Sequence, residues 1–322
     1  MHGRPFDRPR AKRPRATRVG FVVAAGFLST ILLAGCGAPT APHSAGVTST
    51  GTISVVATIN AWGSIAAQLG GSHVHETSLI TNPNTDPHVY EPTPADARIV
   101  AGAQVVVLNG IGYDPWAQKL LDANPVAGRT VIKIGALVGV LNGGNPHQWY
   151  SPGSVRSVIE AITADYKKAD PADSSYFDAQ KQRFLASGMS EYIRLIAEIK
   201  ARYSGTPVGA SESIFTPLAK ALGLNLITPA RFLKDISEGT DPSAADKSLI
   251  DQQIATKAMK VYVFNSQNST PDIQAQVDAA KKQGIPVSAV TETLAPATTS
   301  FQDWQIAQLQ KLETALKLAT NK

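Results

Sequence analysis

Short apolar runs alternate with amphipathic stretches along most of this chain. Runs at Ile53–Thr58, Val74–Ile80, Val105–Leu108 and Thr130–Ile134 have the length and β-branched content of strands. A helical pattern over Trp62–Leu69 stops at Gly70-Gly71, and Thr93-Pro94-Ala95-Asp96 has the form of a helix start: a capping residue, proline at the first position, an acid in the first turn. Tyr150–Ala169 and Pro171–Tyr203 both predict helix, the second opening on Asp170-Pro171. The pattern then repeats, with strands predicted at Pro207–Ala210, Leu224–Ile227, Lys260–Phe264 and Pro286–Val290. Helices are predicted between them at Ile214–Leu222, Ser243–Lys257 and Pro271–Gln283, and Phe301–Leu318 closes the chain. Strands alternating with helices imply parallel sheets. The expected fold class is α/β, with two lobes (52–170 and 204–322), each a parallel sheet flanked by helices, joined by one long linker helix at 171–203.

The first residues do not fit that pattern. Seven basic side chains and one acid precede an apolar run from Val19 to Ala34, followed by Leu33-Ala34-Gly35-Cys36. Basic, apolar, then small residues is the layout of a secretory signal, and the run is short for a bilayer span of roughly 20 residues. Cysteine directly after Leu-Ala-Gly resembles the bacterial lipobox, in which the sulfur is acylated and becomes the new N-terminus. The expectation is a signal peptide at 1–35, lipidation at Cys36, and a flexible Ala/Pro/Ser/Thr/Gly tether over 36–51 that carries His43.

Removing the signal changes the charge picture. The formal charge of +5 contains +6 from residues 1–35, so the chain from Cys36 carries 5 − 6 = −1. The basic pI belongs to the signal and gives no support to nucleic-acid binding. Cys36 is the one cysteine, so acylation leaves no thiol for a disulfide or a nucleophile.

Two histidines then stand out. His88 lies in Asp86-Pro87-His88-Val89-Tyr90-Glu91-Pro92 and His147 in Asn145-Pro146-His147-Gln148-Trp149. Proline stiffens its own backbone and biases its neighbour, so each imidazole is held at a reproducible angle, as a metal ligand must be. Ligands of open α/β sheets sit beyond the carboxyl ends of strands. His88 follows the Val74–Ile80 strand and His147 follows Thr130–Ile134, while Glu212 and Glu292 directly follow Pro207–Ala210 and Pro286–Val290. Two neutral imidazoles and two carboxylates, two per lobe, balance a divalent cation. Four donors suit zinc, and an oxygen-rich five- or six-coordinate set suits manganese or ferrous iron.

With these motifs the chain resembles the substrate-binding lipoproteins of zinc and manganese ABC transporters. The resemblance covers residues 50–322 and rests on Asp86–Pro94, Asn145–Trp149, Glu212-Ser213-Ile214-Phe215 with Leu222-Gly223-Leu224, and Thr291-Glu292-Thr293. It implies that His88, His147, Glu212 and Glu292 hold the transported ion. The third ligand is histidine in many zinc-type members and glutamate in manganese-type ones; the fourth is usually aspartate, one methylene shorter than Glu292. No histidine lies between His88 and His147, so the histidine-rich loop of many zinc-type relatives is absent. Glu212 and the missing loop lean toward manganese or iron, whereas intrinsic affinity favours zinc. The resemblance further implies a monomer on the outer face of the cell membrane, partnered by an ABC permease with a cytoplasmic ATPase, and no enzyme.

Two alternatives use the same ion: a metal-dependent hydrolase, which would need an open coordination position and a nearby base, and an adhesin with a structural metal. Of the remaining candidates, His73 and His75 flank a Gly-Gly-Ser turn and are expected to be exposed, with a weak second metal site as the competing reading. Asp86 is a candidate partner for His88, Glu91 for orienting its loop, and Tyr90 and Trp149 for walling the site. Asn109-Gly110-Ile111-Gly112 lacks the third glycine and lysine of a phosphate loop.

Overall fold

Valine- and isoleucine-rich runs build two parallel sheets of the same topology. Strands β1 (Ile53–Ile59), β2 (Val74–Ile80), β3 (Val105–Leu108) and β4 (Thr130–Lys133) pair in the order β2-β1-β3-β4. Strands β5 (Pro207–Ala210), β6 (Asn225–Leu226), β7 (Val261–Asn265) and β8 (Val287–Val290) repeat it as β6-β5-β7-β8. All neighbours are parallel, with Val56 opposite Val106 and Val107 opposite Ile132 in the first sheet, and Val208 opposite Val261 in the second. Helices cover both faces of such sheets, which is why the four residues of β3, Val-Val-Val-Leu, are all buried. The structure is a computed structural model and describes residues 51–322. The expected signal segment, Cys36 and all but the last residue of the tether lie outside that range. Among the described residues no helix is long and apolar enough to cross a membrane.

The first lobe carries α1 (Asn60–Gly70), α2 (Pro94–Ala101), α3 (Pro115–Ala123), α4 (Ile134–Leu137) and α5 (Pro152–Ala169). The connecting segment 171–203 is not one uninterrupted helix. A single turn at Pro171–Asp173 leads into α6 (Ser174–Arg183), a π turn spans Phe184–Gly188, and α7 (Ser190–Tyr203) completes it. The wider turn sits at Gly188, a poor helix former in the middle of a long run. The second lobe adds α8 (Thr216–Ala221), α9 (Ala230–Ser237), α10 (Ala244–Ala255), α11 (Pro271–Lys282) and α12 (Phe301–Thr320).

The lobes share one apolar core. Trp62, Trp149, Tyr150 and Tyr166 of the first belong to the same buried cluster as Ile214, Phe215, Phe301, Trp304 and Leu309 of the second. A smaller cluster of Phe232, Ile250, Ile254, Tyr262, Ile273 and Val277 lies against the far side of the second sheet. Polar bonds also cross between lobes: Gln302 and Gln68 exchange hydrogen bonds of 2.7 and 3.1 Å, and Asn60 Oδ1 accepts from the Leu294 N–H at 3.1 Å. The connecting segment is therefore only one of several ties.

Candidate metal centre

Each Pro-His segment is held in the same way. In the first, Asp86 Oδ1 accepts from the His88 backbone N–H (2.9 Å) and from His88 Nδ1 (3.0 Å). A carboxylate can only accept, so the proton sits on Nδ1 and the Nε2 lone pair is free for an ion. Trp116 Nε1 donates to the Pro87 carbonyl at 2.9 Å, and Tyr90 packs edge-on against Trp116. The Tyr90 hydroxyl donates to Asp96 Oδ2 (2.8 Å), the acid of the capping box with Thr93 that starts α2. A helix start thus anchors the loop that carries His88.

The second segment repeats the arrangement with asparagine. Asn145 Oδ1 takes the His147 backbone N–H (3.0 Å) and faces His147 Nδ1 at 2.9 Å, while Asn145 Nδ2 donates across the cleft to the Ser213 carbonyl at 2.7 Å. Asn109 Nδ2 fixes the Pro146 carbonyl at 2.9 Å. Asn109 itself is held by Asp114, whose carboxylate oxygens accept the Asn109 and Gly110 N–H groups at 2.8 and 2.7 Å. The first two amides of the Asn109–Gly112 segment are therefore already engaged, and the segment supports His147. Trp149 is fully buried and packs edge-on to the His147 ring, with centroids 5.3 Å apart.

The two carboxylates come from the second lobe. Glu212 follows β5 and Glu292 follows β8; both are buried. His147 Nε2 lies 3.1 Å from Glu292 Oε1, and the Tyr113 hydroxyl donates to Glu292 Oε2 at 3.0 Å. At the end of β7, the fully buried Asn265 donates from Nδ2 to Glu212 Oε1 (2.7 Å) and to Glu292 Oε1 (3.3 Å). Asn268 Nδ2 donates to Glu212 Oε2 at 2.7 Å. Ligand atoms of His147, Glu212 and Glu292 all lie within 4.8 Å of one another. His88 stands just outside that triangle, its ring 6.3 Å from that of His147, and it lines the mouth of the cleft with Asn268, Gln267 and Glu292.

The electrostatics follow from burial and charge. Burial, and then the charge of Glu292, push Glu212 far above the usual carboxylate range, and the amides of Asn265 and Asn268 offset this only in part. Burial acts upward on Glu292 as well, but the nearby His147 overrides it and holds that carboxyl low. Burial would pull His88 down; the Asp86 hydrogen bond and the Glu292, Asp86 and Glu212 charges outweigh it and raise it. The His88 hydrogen bond keeps Asp86 low. The buried donors thus favour protons in place of bare charge, and a divalent cation placed among them would displace those protons and pair with the carboxylates.

The structure brings His147, Glu212 and Glu292 together, with His88 at their edge. Glu91 is exposed and joins no ligand group, and His75 is exposed on β2. His73 is half-buried and turns toward Asp173 rather than toward the cleft. Sequence reasoning missed Tyr113, Asn145, Asn265 and Asn268. Asn145 had a readable signal, an Asx two residues before the histidine that matches Asp86. Asn265 had another, its place at the carboxyl end of a central strand.

The family model described as zinc-uptake complex component A, periplasmic (ZnuA) matches residues 55–315. A manganese-binding lipoprotein, MntA, of Bacillus subtilis is 26% identical over 277 residues, covering 83% of this chain and 87% of that protein. The MntA of Halalkalibacterium halodurans is 26% identical over 161 residues; that match covers 48% of this chain and spans about half (51%) of the relative. A crystal structure of ZnuA shares the fold, with a TM-score of 0.65 at 24% identity over 82% of this chain and 99% of that one. The matched family comprises metal-binding components of uptake systems and not enzymes. With two parallel-sheet lobes and the family model matching over 55–315, the chain belongs to the ZnuA family of periplasmic zinc-uptake components.

Proposed function

We propose that this protein captures one divalent transition-metal ion, zinc or manganese, between lobes 52–170 and 204–322 and delivers it to an ABC permease powered by a cytoplasmic ATPase. Acylated Cys36 holds it at the outer face of the cell membrane, and residues 36–51 give it reach. The observation that carries the reading is the buried meeting of His147, Glu212 and Glu292, whose ligand atoms lie within 4.8 Å of one another although they come from two lobes. His147 and His88 supply imidazole nitrogens, and Glu212 and Glu292 supply carboxylate oxygens. Two negative charges match a dication, and the oxygen-rich half of the set suits manganese as well as zinc. The relatives support both metals, since the matched family is described by zinc uptake and the two MntA proteins by manganese binding.

The test is elemental analysis of the purified protein after stripping and reloading with zinc and manganese in competition. One equivalent in the cleft, lost in His88→Ala and in His147→Ala variants that keep their melting behaviour, is the expected result. Retention of the full wild-type metal stoichiometry in both variants refutes the ligand set. Deleting the gene should abolish metal uptake without changing surface attachment, which separates transport from adhesion.

A further inference from the structure

A second cluster of ligand-type side chains lies at the other end of the first sheet. His73 precedes β2, whereas His88 follows it. The seven residues of β2 place the two ends roughly 20 Å apart at about 3.3 Å per residue. His73 Nδ1 is 2.9 Å from Asp173 Oδ2, and ligand atoms of His73, Asp170 and Asp173 all lie within 4.8 Å of one another.

Three features separate this cluster from an ordinary surface ion pair. First, Asp170 is only 5% exposed, yet its carboxylate receives no hydrogen bond or ion pair among the described residues. A carboxylate held this close to an imidazole and to a second carboxylate is where a cation would be favoured. Second, Asp170 and Asp173 occupy the N-cap positions of the 171–173 turn and of α6, where an aspartate ordinarily accepts a backbone N–H. Neither caps its helix. Third, the imidazole is held in place. It stacks on Tyr176 with centroids 4.0 Å apart, and the Tyr176 hydroxyl accepts the Ser72 N–H at 3.0 Å. Gly71, at φ +52°, keeps this turn close, because a Cβ there would strike the same hydroxyl.

We propose that His73, Asp170 and Asp173 form a second divalent-metal site, of zinc-type chemistry, that ties the turn before β2 to the start of the connecting segment. One imidazole and two carboxylates leave a fourth tetrahedral position for water. Ligands about 2.1 Å from a tetrahedral ion stand roughly 3.4 Å apart, so the 2.9 Å His73–Asp173 contact must open slightly to admit the ion. Asp173, whose side chain is 41% exposed, is free to make that shift. The site is independent of the interlobe cleft and shares no residue with it.

The test is calorimetric titration with zinc alone on the wild type, on a His88→Ala/His147→Ala variant, and on each with Asp170→Asn added. Asp173→Asn, at a half-exposed position, serves as a second probe should Asp170→Asn fold poorly. The expected result is two equivalents in the wild type and one in the cleft variant, with the latter weakened at least tenfold by Asp170→Asn or Asp173→Asn. Anomalous scattering at the zinc edge should place that ion between His73 and Asp170. A cleft variant that takes up no zinc, or whose zinc is indifferent to both aspartate substitutions, overturns the proposal. Should the cleft reading fail instead, the wild type would hold one equivalent, removed by Asp170→Asn and untouched by His88→Ala/His147→Ala.

Discussion

His147 and Glu292, 145 positions apart in the chain, meet across the interlobe cleft with Nε2 3.1 Å from Oε1. Each of these atoms has a lone pair, so the contact requires a shared proton. An ion that binds to both atoms must take that proton's place. Glu212 adds to the effect, because burial and the neighbouring Glu292 charge favour its protonated form. Metal uptake is therefore expected to release at least one proton per ion. Affinity should rise with pH up to about 8, as Glu212 gives up its proton. Calorimetry in buffers of different ionisation enthalpy measures the release directly, and a proton count of zero would contradict this account of the site.

Glu212 also sets function against stability. A carboxyl whose pKa is raised in the folded state costs stability once the pH exceeds its unfolded value, about 4.3 for glutamate. Glu212→Gln removes that cost and keeps a side-chain oxygen for Asn265 or Asn268. The metal-free variant should melt higher than the wild type at neutral pH. The difference should grow as pH rises and close as pH falls toward the ordinary carboxylate range. Metal affinity should drop at least tenfold. A variant that melts lower at pH 7.5 would show that the hydrogen bonds outweigh the charge repulsion.

Asn265 touches both Glu212 and Glu292 from one amide nitrogen and is fully buried. Its own backbone N–H is held by Ser211 Oγ at 3.1 Å, which fixes the amide relative to β5. Asn265→Ala should lower metal affinity by about 10- to 100-fold, the range for groups that orient ligands. It should also cost about 1–3 kcal/mol of stability through unpaired buried oxygens. Competition against a fluorescent chelator reads the first effect and chemical denaturation the second. Unchanged affinity would mean that Glu212 and Glu292 keep their positions without it.

Much of this was legible before any coordinates. Central parallel strands buried on both faces read as apolar runs, so β3 falls at the expected residues; β2 and β5 do so as well, and the Thr93-Pro94-Ala95-Asp96 start is a capping box. The short helices α3, α4 and α9 were missed, because segments of four to nine residues fall below the length over which a helical pattern outweighs a loop reading. The interruption at Phe184–Gly188 was hidden for another reason: a π turn keeps helical composition while shifting the phase. In the candidate site, ligand types stood out by their chemistry, but the residues that orient them did not. Asn265 and Tyr113 reach Glu292 from β7 and from the loop after β3, and only the relative placement of the sheets reveals those contacts.

The shared core bears on how the cleft could open. A wide hinge would have to separate Trp149 and Tyr150 from Trp304 and Leu309, which lie in one buried cluster. It would also break the bonds from the Tyr150 hydroxyl to the Thr291 carbonyl (2.9 Å) and Gln308 Oε1 (2.7 Å), besides the Gln68–Gln302 pair. Aromatic side chains bury large areas, and exposing several of them costs more than one ion's ligand rearrangement returns. His88 takes no part in that core: it is half-buried at the cleft mouth beside Val89, which is 72% exposed. Entry and release are therefore expected to proceed by reorientation of the His88 side chain and small shifts of packed helices. Metal-free and metal-loaded structures, superposed on the first sheet, should differ mainly at His88. A rigid rotation of the second lobe on the order of tens of degrees would refute this mode of closure.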